Sequence, residues 1–146
     1  MLPPMRRLAA LLACLASPAG AWEFTPLPVC TLSENGPVSV IVTYDPRQGE
    51  PYAITVTADE PWPEATVFGL RFEGPRGLTI STPRHRLSED GRSLTVTDRG
   101  FGNVLDGLEY NLAATALLGD TALSFSLDGA AEPVRAFREC ATAPIA

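Results

Sequence analysis

A chain of 146 residues carrying 17 carboxylates against 11 basic side chains, every one of them arginine, has a formal charge of −6 and the length of a single domain. Such a balance repels phosphate backbones and anionic lipid, which argues against nucleic-acid binding and against adsorption to a membrane surface. Fourteen prolines and twelve glycines punctuate apolar runs instead of clustering, so they predict many turns and no disordered tract.

Residues 1–21 read as a secretory signal peptide. Arg6 and Arg7 supply the positive start, Leu8 to Ala16 the apolar stretch, and Ala19-Gly20-Ala21 the small residues a signal peptidase requires. Cleavage there opens a single β-rich domain, residues 22–146, at Trp22. The apolar stretch falls far short of the roughly 20 residues that a bilayer-spanning helix needs, and no later run is long enough. Lipid attachment at Cys14 is the alternative, with a shorter apolar core of Leu8 to Ala13. Either way the chain is exported, to the periplasm or beyond the cell, and no membrane insertion follows removal of the signal.

Export leaves Cys30 and Cys140 in an oxidising compartment, where only one intramolecular pairing is available. Closing a loop of about 110 residues contributes roughly 4–5 kcal/mol in the chain-entropy model. Neither Cys-x-x-Cys spacing nor companion histidines accompany the pair, so it reads as a staple and not as a redox or metal site.

A first strand is predicted over roughly Leu27 to Leu32, turning at Asn35-Gly36. Val38, Val40, Val42 and Tyr44 then share one face of a second strand; Asp45-Pro46 with Gly49 turns the chain into a third, carrying Tyr52, Ile54 and Val56. Pro61-Trp62-Pro63 is a rigid break that no central strand accommodates. Beyond it Phe68, Leu70 and Phe72 alternate, and Gly74 to Gly77 leads into Leu78 to Ile80. Pro83 to Arg92 is a charged loop ending in the turn dipeptide Asp90-Gly91, followed by a strand with Leu94 and Val96. Phe101, Val104, Leu105 and Leu108 fall at helical spacing within Gly100 to Leu108. The Gly119-Asp120 turn favours a strand over a helix for Tyr110 to Leu118, and Leu123, Phe125 and Leu127 alternate after it. A final helix opens at Asp128 or Gly129 and runs to Glu139, with Pro133 in its first turn and Val134, Phe137 and Cys140 on its apolar side. The sum is a mainly β fold, an antiparallel sandwich or rolled sheet of seven or eight short strands with a C-terminal helix over an open face.

The stretch from Leu118 to Cys140 resembles the ending of small bacterial secreted proteins of the invasion-associated locus B type. In that group a strand closing with Ser-Leu-x-Gly leads into a short helix that ends at a cysteine; Ser126, Leu127, Gly129 and Cys140 carry the match. Trp22 departs from the family's opening, lacking its Gly-Asp-Trp context. The resemblance implies a periplasmic β domain stapled end to end and brings no catalytic residue.

Three groups are candidates for a site. Arg84-His85-Arg86 is a basic triplet able to hold an anionic group such as a phosphate or carboxylate; the plainer reading is a solvated loop pairing with Glu89 and Asp90. Asp98, Arg99, Phe101 and Asn103 form a second group, in which glycines free the backbone around Phe101 and Asn103 caps the following helix. Trp62 between its prolines is the third. For both aromatics the plainer reading is a plug in the core. His85 is the only general base, and no Gly-x-Ser-x-Gly accompanies it. A hydrolase would use His85 or the pair Asp98 and Asp106, and calcium at that pair would need several converging oxygens. The expectation is therefore a non-enzymatic binding domain, without cofactor or metal, whose partner is a protein or a cell-envelope component. A secreted inhibitor of a protease or lysozyme is the alternative, with Glu60 to Glu64 around Trp62 as a projecting loop.

Overall fold

A computed structural model describes residues 21–144. The signal-peptide and Cys14 readings lie outside the described residues. Ten strands and two helices follow in the order β1 (Trp22–Thr25), β2 (Cys30–Asn35), β3 (Ser39–Tyr44), β4 (Tyr52–Thr57), β5 (Phe68–Glu73), β6 (Leu78–Thr82), β7 (Arg86–Leu87), β8 (Ser93–Asp98), α1 (Gly102–Tyr110), β9 (Ala113–Leu118), β10 (Thr121–Ser126) and α2 (Ala131–Thr142).

The strands form two antiparallel sheets, a six-stranded one ordered β1-β2-β3-β4-β8-β7 and a four-stranded one ordered β10-β9-β5-β6. Alternation decides what each sheet buries. In the larger sheet Val40 and Val42 align with Val56 and Ile54, which align with Leu94 and Val96, and all six are buried. Its other face is wet, and there hydroxyls pair across strands, Thr55 with Thr95 at 2.9 Å and Thr57 with Ser93 at 2.8 Å. The smaller sheet matches large against small: Phe72 lies opposite Ala114 and Leu70 opposite Ala116. The two apolar faces close on one another as a sandwich, so the mainly β fold read from the sequence is the fold of the chain.

The strand count exceeds the expected seven or eight for local reasons. Pro26 and Pro28 keep Leu27 to Val29 of the expected first strand out of the ladder, so the chain turns there: Cys30 to Leu32 belong to β2, and β1 before the turn pairs antiparallel with it. Within the charged segment, Arg86 and Leu87 pair with Thr95 and Leu94 as the short strand β7. Tyr110 closes α1, and the strand that follows it is β9. Helix α2 starts later than expected, because Gly129 takes φ +79° and turns the chain before the helix begins. Val134 and Phe137 are buried as expected, with α2 lying over the β1–β2 end of the larger sheet and against α1. Cys140 near its end is bonded to Cys30 at the start of β2, with Cα atoms 6.0 Å apart. Among the described residues no helix is long and apolar enough to cross a membrane.

Candidate functional site

Two of the sequence candidates converge at the β7–β8 rim of the larger sheet. Arg84, in the link from β6 to β7, places Nη1 2.8 Å from Glu50 Oε2 and Nη2 3.3 Å from Asp98 Oδ2. The Thr97 hydroxyl donates to the other Glu50 oxygen at 2.6 Å. That hydroxyl, then the Arg84 hydrogen bond, hold the Glu50 carboxyl below the usual carboxylate range. The backbone N–H of Arg99 donates to Asp98 Oδ1 at 2.7 Å. Asp98 and Arg84, read as members of separate groups, are thus one ion-pair cluster, and β8 supplies its frame.

The basic triplet does not act as a unit, because side chains alternate across a strand. Arg86 lies on the wet face and lines a concavity of about 400 Å³ together with Thr43, Asp45, Glu50 and Thr97. His85 turns the other way: it is half-buried, its ring centroid is 6.4 Å from that of Phe68, and Nε2 lies 3.0 Å from the Ala65 carbonyl oxygen. Its Nδ1 is buried and has no hydrogen-bond partner among the described residues, so none of their carboxylates orients the ring. Nor do Glu89 and Asp90 pair with Arg84. Asp90 instead closes its own hairpin, accepting the Ser88 hydroxyl at 2.7 Å and the Arg92 N–H at 3.0 Å, bonds that lower its pKa.

The aromatic candidates belong to the core. Phe101 is 4 % exposed and stacks on Tyr52 with centroids 5.4 Å apart, closing the end of the sandwich. Trp62, also 4 % exposed, donates its indole N–H to Val56 O at 3.3 Å and meets Phe68 edge-on. Phe101 offers no contact surface and Trp62 only part of the wall of a surface concavity, and the loop Glu60 to Glu64 is pinned down by that tryptophan. Asn103 is exposed but caps nothing: α1 begins one residue earlier, with Phe101 at its N-cap and no side-chain cap. Asp106 does not join Asp98, since it accepts from Arg138 Nη2 at 2.7 Å while Asp98 faces Arg84. Among the described residues no group of three or more His, Cys, Asp or Glu side chains is placed to hold a metal ion.

Two buried carboxylates escaped the sequence reading although the signal was present. Glu34 follows Cys30 and Leu32 at alternate positions of β2, and Glu109 lies one helical turn beyond Leu105 in α1; both sit on inward faces. No protein-family model, curated protein or solved structure matches the chain.

Proposed function

We propose that residues 22–146 form an exported, non-enzymatic binding domain whose partner is a protein or a cell-envelope component. The observation that carries the reading is the cluster at the β7–β8 rim: Arg84 fixes Glu50 and Asp98, and the fixed Glu50 lines a concavity into which Arg86 and Thr97 also present polar groups. Polar side chains held in place before a ligand arrives lose little entropy when it binds. His85, bonded to a backbone carbonyl and lacking an orienting carboxylate, has the setting of a packed side chain and not of a general base. Export is supported by the signal pattern, by the Cys30–Cys140 staple, and by the resemblance of the C-terminal stretch to invasion-associated locus B proteins.

Capture from envelope extract by the immobilised, oxidised chain tests this. Wild-type protein retains a component that Arg86→Glu and Thr97→Val lose, with thermal unfolding of the variants unchanged. Equal retention by all three removes the rim from the proposal.

A further inference from the structure

Among the described residues strand β10 pairs on one side only, with β9, and is an edge of the four-stranded sheet. The phase of its hydrogen bonds is fixed just beyond it, where the Leu127 N–H donates to Leu112 O at 3.0 Å, in step with the pairs Phe125–Ala114, Leu123–Ala116 and Thr121–Leu118. Residues of an antiparallel ladder exchange both bonds with the neighbour at every second position. Thr121, Leu123 and Phe125 therefore spend their amides on β9, while Ala122, Ser124 and Ser126 turn theirs outward. Trp22 of β1 takes the Ser126 carbonyl through its indole N–H at 3.0 Å. The outward amides of Ala122 and Ser124 have no backbone partner among the described residues.

Nothing in the strand blunts this edge. Thr121 to Ser126 contains no charge and no proline, and its register with β9 runs without a bulge. Beside it lies a concavity of about 390 Å³, walled by Val38, Trp62, Thr121 and Leu123 and rimmed by Asp59 and Glu60. Asp120 and Asp128 stand exposed just outside the two ends of the strand. If a second copy added its own β10 about a two-fold axis at Ser124, Asp120 of each copy would face Asp128 of the other. Like charges directly opposite are unfavourable, so the flanks select against self-pairing and for a basic segment.

We propose that β10 receives an extended segment of a partner protein by strand addition, a segment uncharged in its middle and carrying Lys or Arg at both ends. Main-chain bonds to Ala122 and Ser124 supply affinity, and a side chain entering the concavity beside Leu123 with the basic ends facing Asp120 and Asp128 supplies selectivity. This edge lies at the β1 side of the sandwich, away from the β7–β8 rim, and the inference does not depend on the rim.

The probe is a short synthetic peptide of alternating Thr and Val with Arg at both ends, compared with the same peptide ending in Glu, each added to the oxidised chain. Fluorescence anisotropy should give about tenfold tighter binding of the Arg-ended peptide, a gap that closes with added salt. Binding should protect the Ala122 and Ser124 amides from hydrogen exchange. Ser124→Pro removes one outward N–H where an edge strand accepts proline, and should abolish binding. Asp120→Asn combined with Asp128→Asn should erase the preference between peptides. Equal affinity for both peptides, or full binding by a folded Ser124→Pro, overturns the proposal. So does concentration-dependent dimerisation that protects the same amides without peptide. Should Ser124→Pro fail to fold, exchange in the wild-type chain decides alone: amides left unprotected by the Arg-ended peptide overturn it.

Discussion

Glu109 in α1 holds Arg138 of α2 at 2.9 Å through one carboxylate oxygen, and Arg135 of the same helix lies 3.4 Å from the other. The side chain of Glu109 is 4 % exposed whereas those of Arg138 and Arg135 are 32 % and 54 % exposed, so the carboxylate is the most desolvated member of the clamp. Truncation by Glu109→Ala leaves the arginines free to reach water and should cost about 1–3 kcal/mol by urea denaturation. A double-mutant cycle with Arg138→Met should give a coupling of about 1 kcal/mol; additive losses would deny the clamp.

Glu34, 2 % exposed with one oxygen unpartnered, opposes folding in its charged form, and burial raises its pKa against a smaller lowering by the Gly36 N–H. The fold is therefore favoured below the ordinary carboxylate range, and that advantage disappears as pH rises through the raised value. Glu34→Gln should gain stability over wild type as pH goes from 4.5 towards 7, with little difference at lower pH. Denaturation midpoints of the pair across that range read it, and an advantage independent of pH would contradict it.

Asp45 shows the opposite sign. The Arg47 side chain and backbone N–H lower its pKa to about 2, so its contribution is present above the ordinary carboxylate value and fades as pH falls to about 2. A carboxyl-detected magnetic-resonance titration should place its midpoint there. Arg47→Ala should bring the midpoint back up towards the ordinary range.

Gly107 in α1 faces the ring of Phe72 so closely that an added Cβ would fall 2.3 Å from ring atoms. Alanine is the better helix former by about 1 kcal/mol, but a buried aromatic in a packed sheet has nowhere to go. Gly107→Ala should be net destabilising, by about 1–3 kcal/mol. Combining it with Phe72→Leu should recover part of the loss.

Replacing Cys30 and Cys140 together by serine should lower stability by about 3–5 kcal/mol, because the bond closes a loop spanning 110 positions. Hydrogen exchange should quicken first in α2, which the bond ties to β2. A uniform change across both sheets would mean that the staple acts only on the unfolded chain.

Local periodicity carried most of the architecture. Alternation of Val40 and Val42, of Ile54 and Val56, and of Leu94 and Val96 marked which side of each strand would be dry, and the cysteine count left one bond to form. These are properties of neighbouring residues, fixed by the two-residue repeat of a strand. Partnership across strands is not local. Arg84 meets Glu50 and Asp98 because β4 lies beside β8 and β7 beyond it, an order that no spacing in the chain declares. Trp62 and Phe101 looked alike as contact residue or core plug, and only closure of the sandwich made both plugs. Most strands, their dry faces and the partner of each cysteine were legible in neighbouring residues, since short-range sterics and solvation set them; β1, β7, the meeting of charges and the open edge were not, since all depend on register between distant segments.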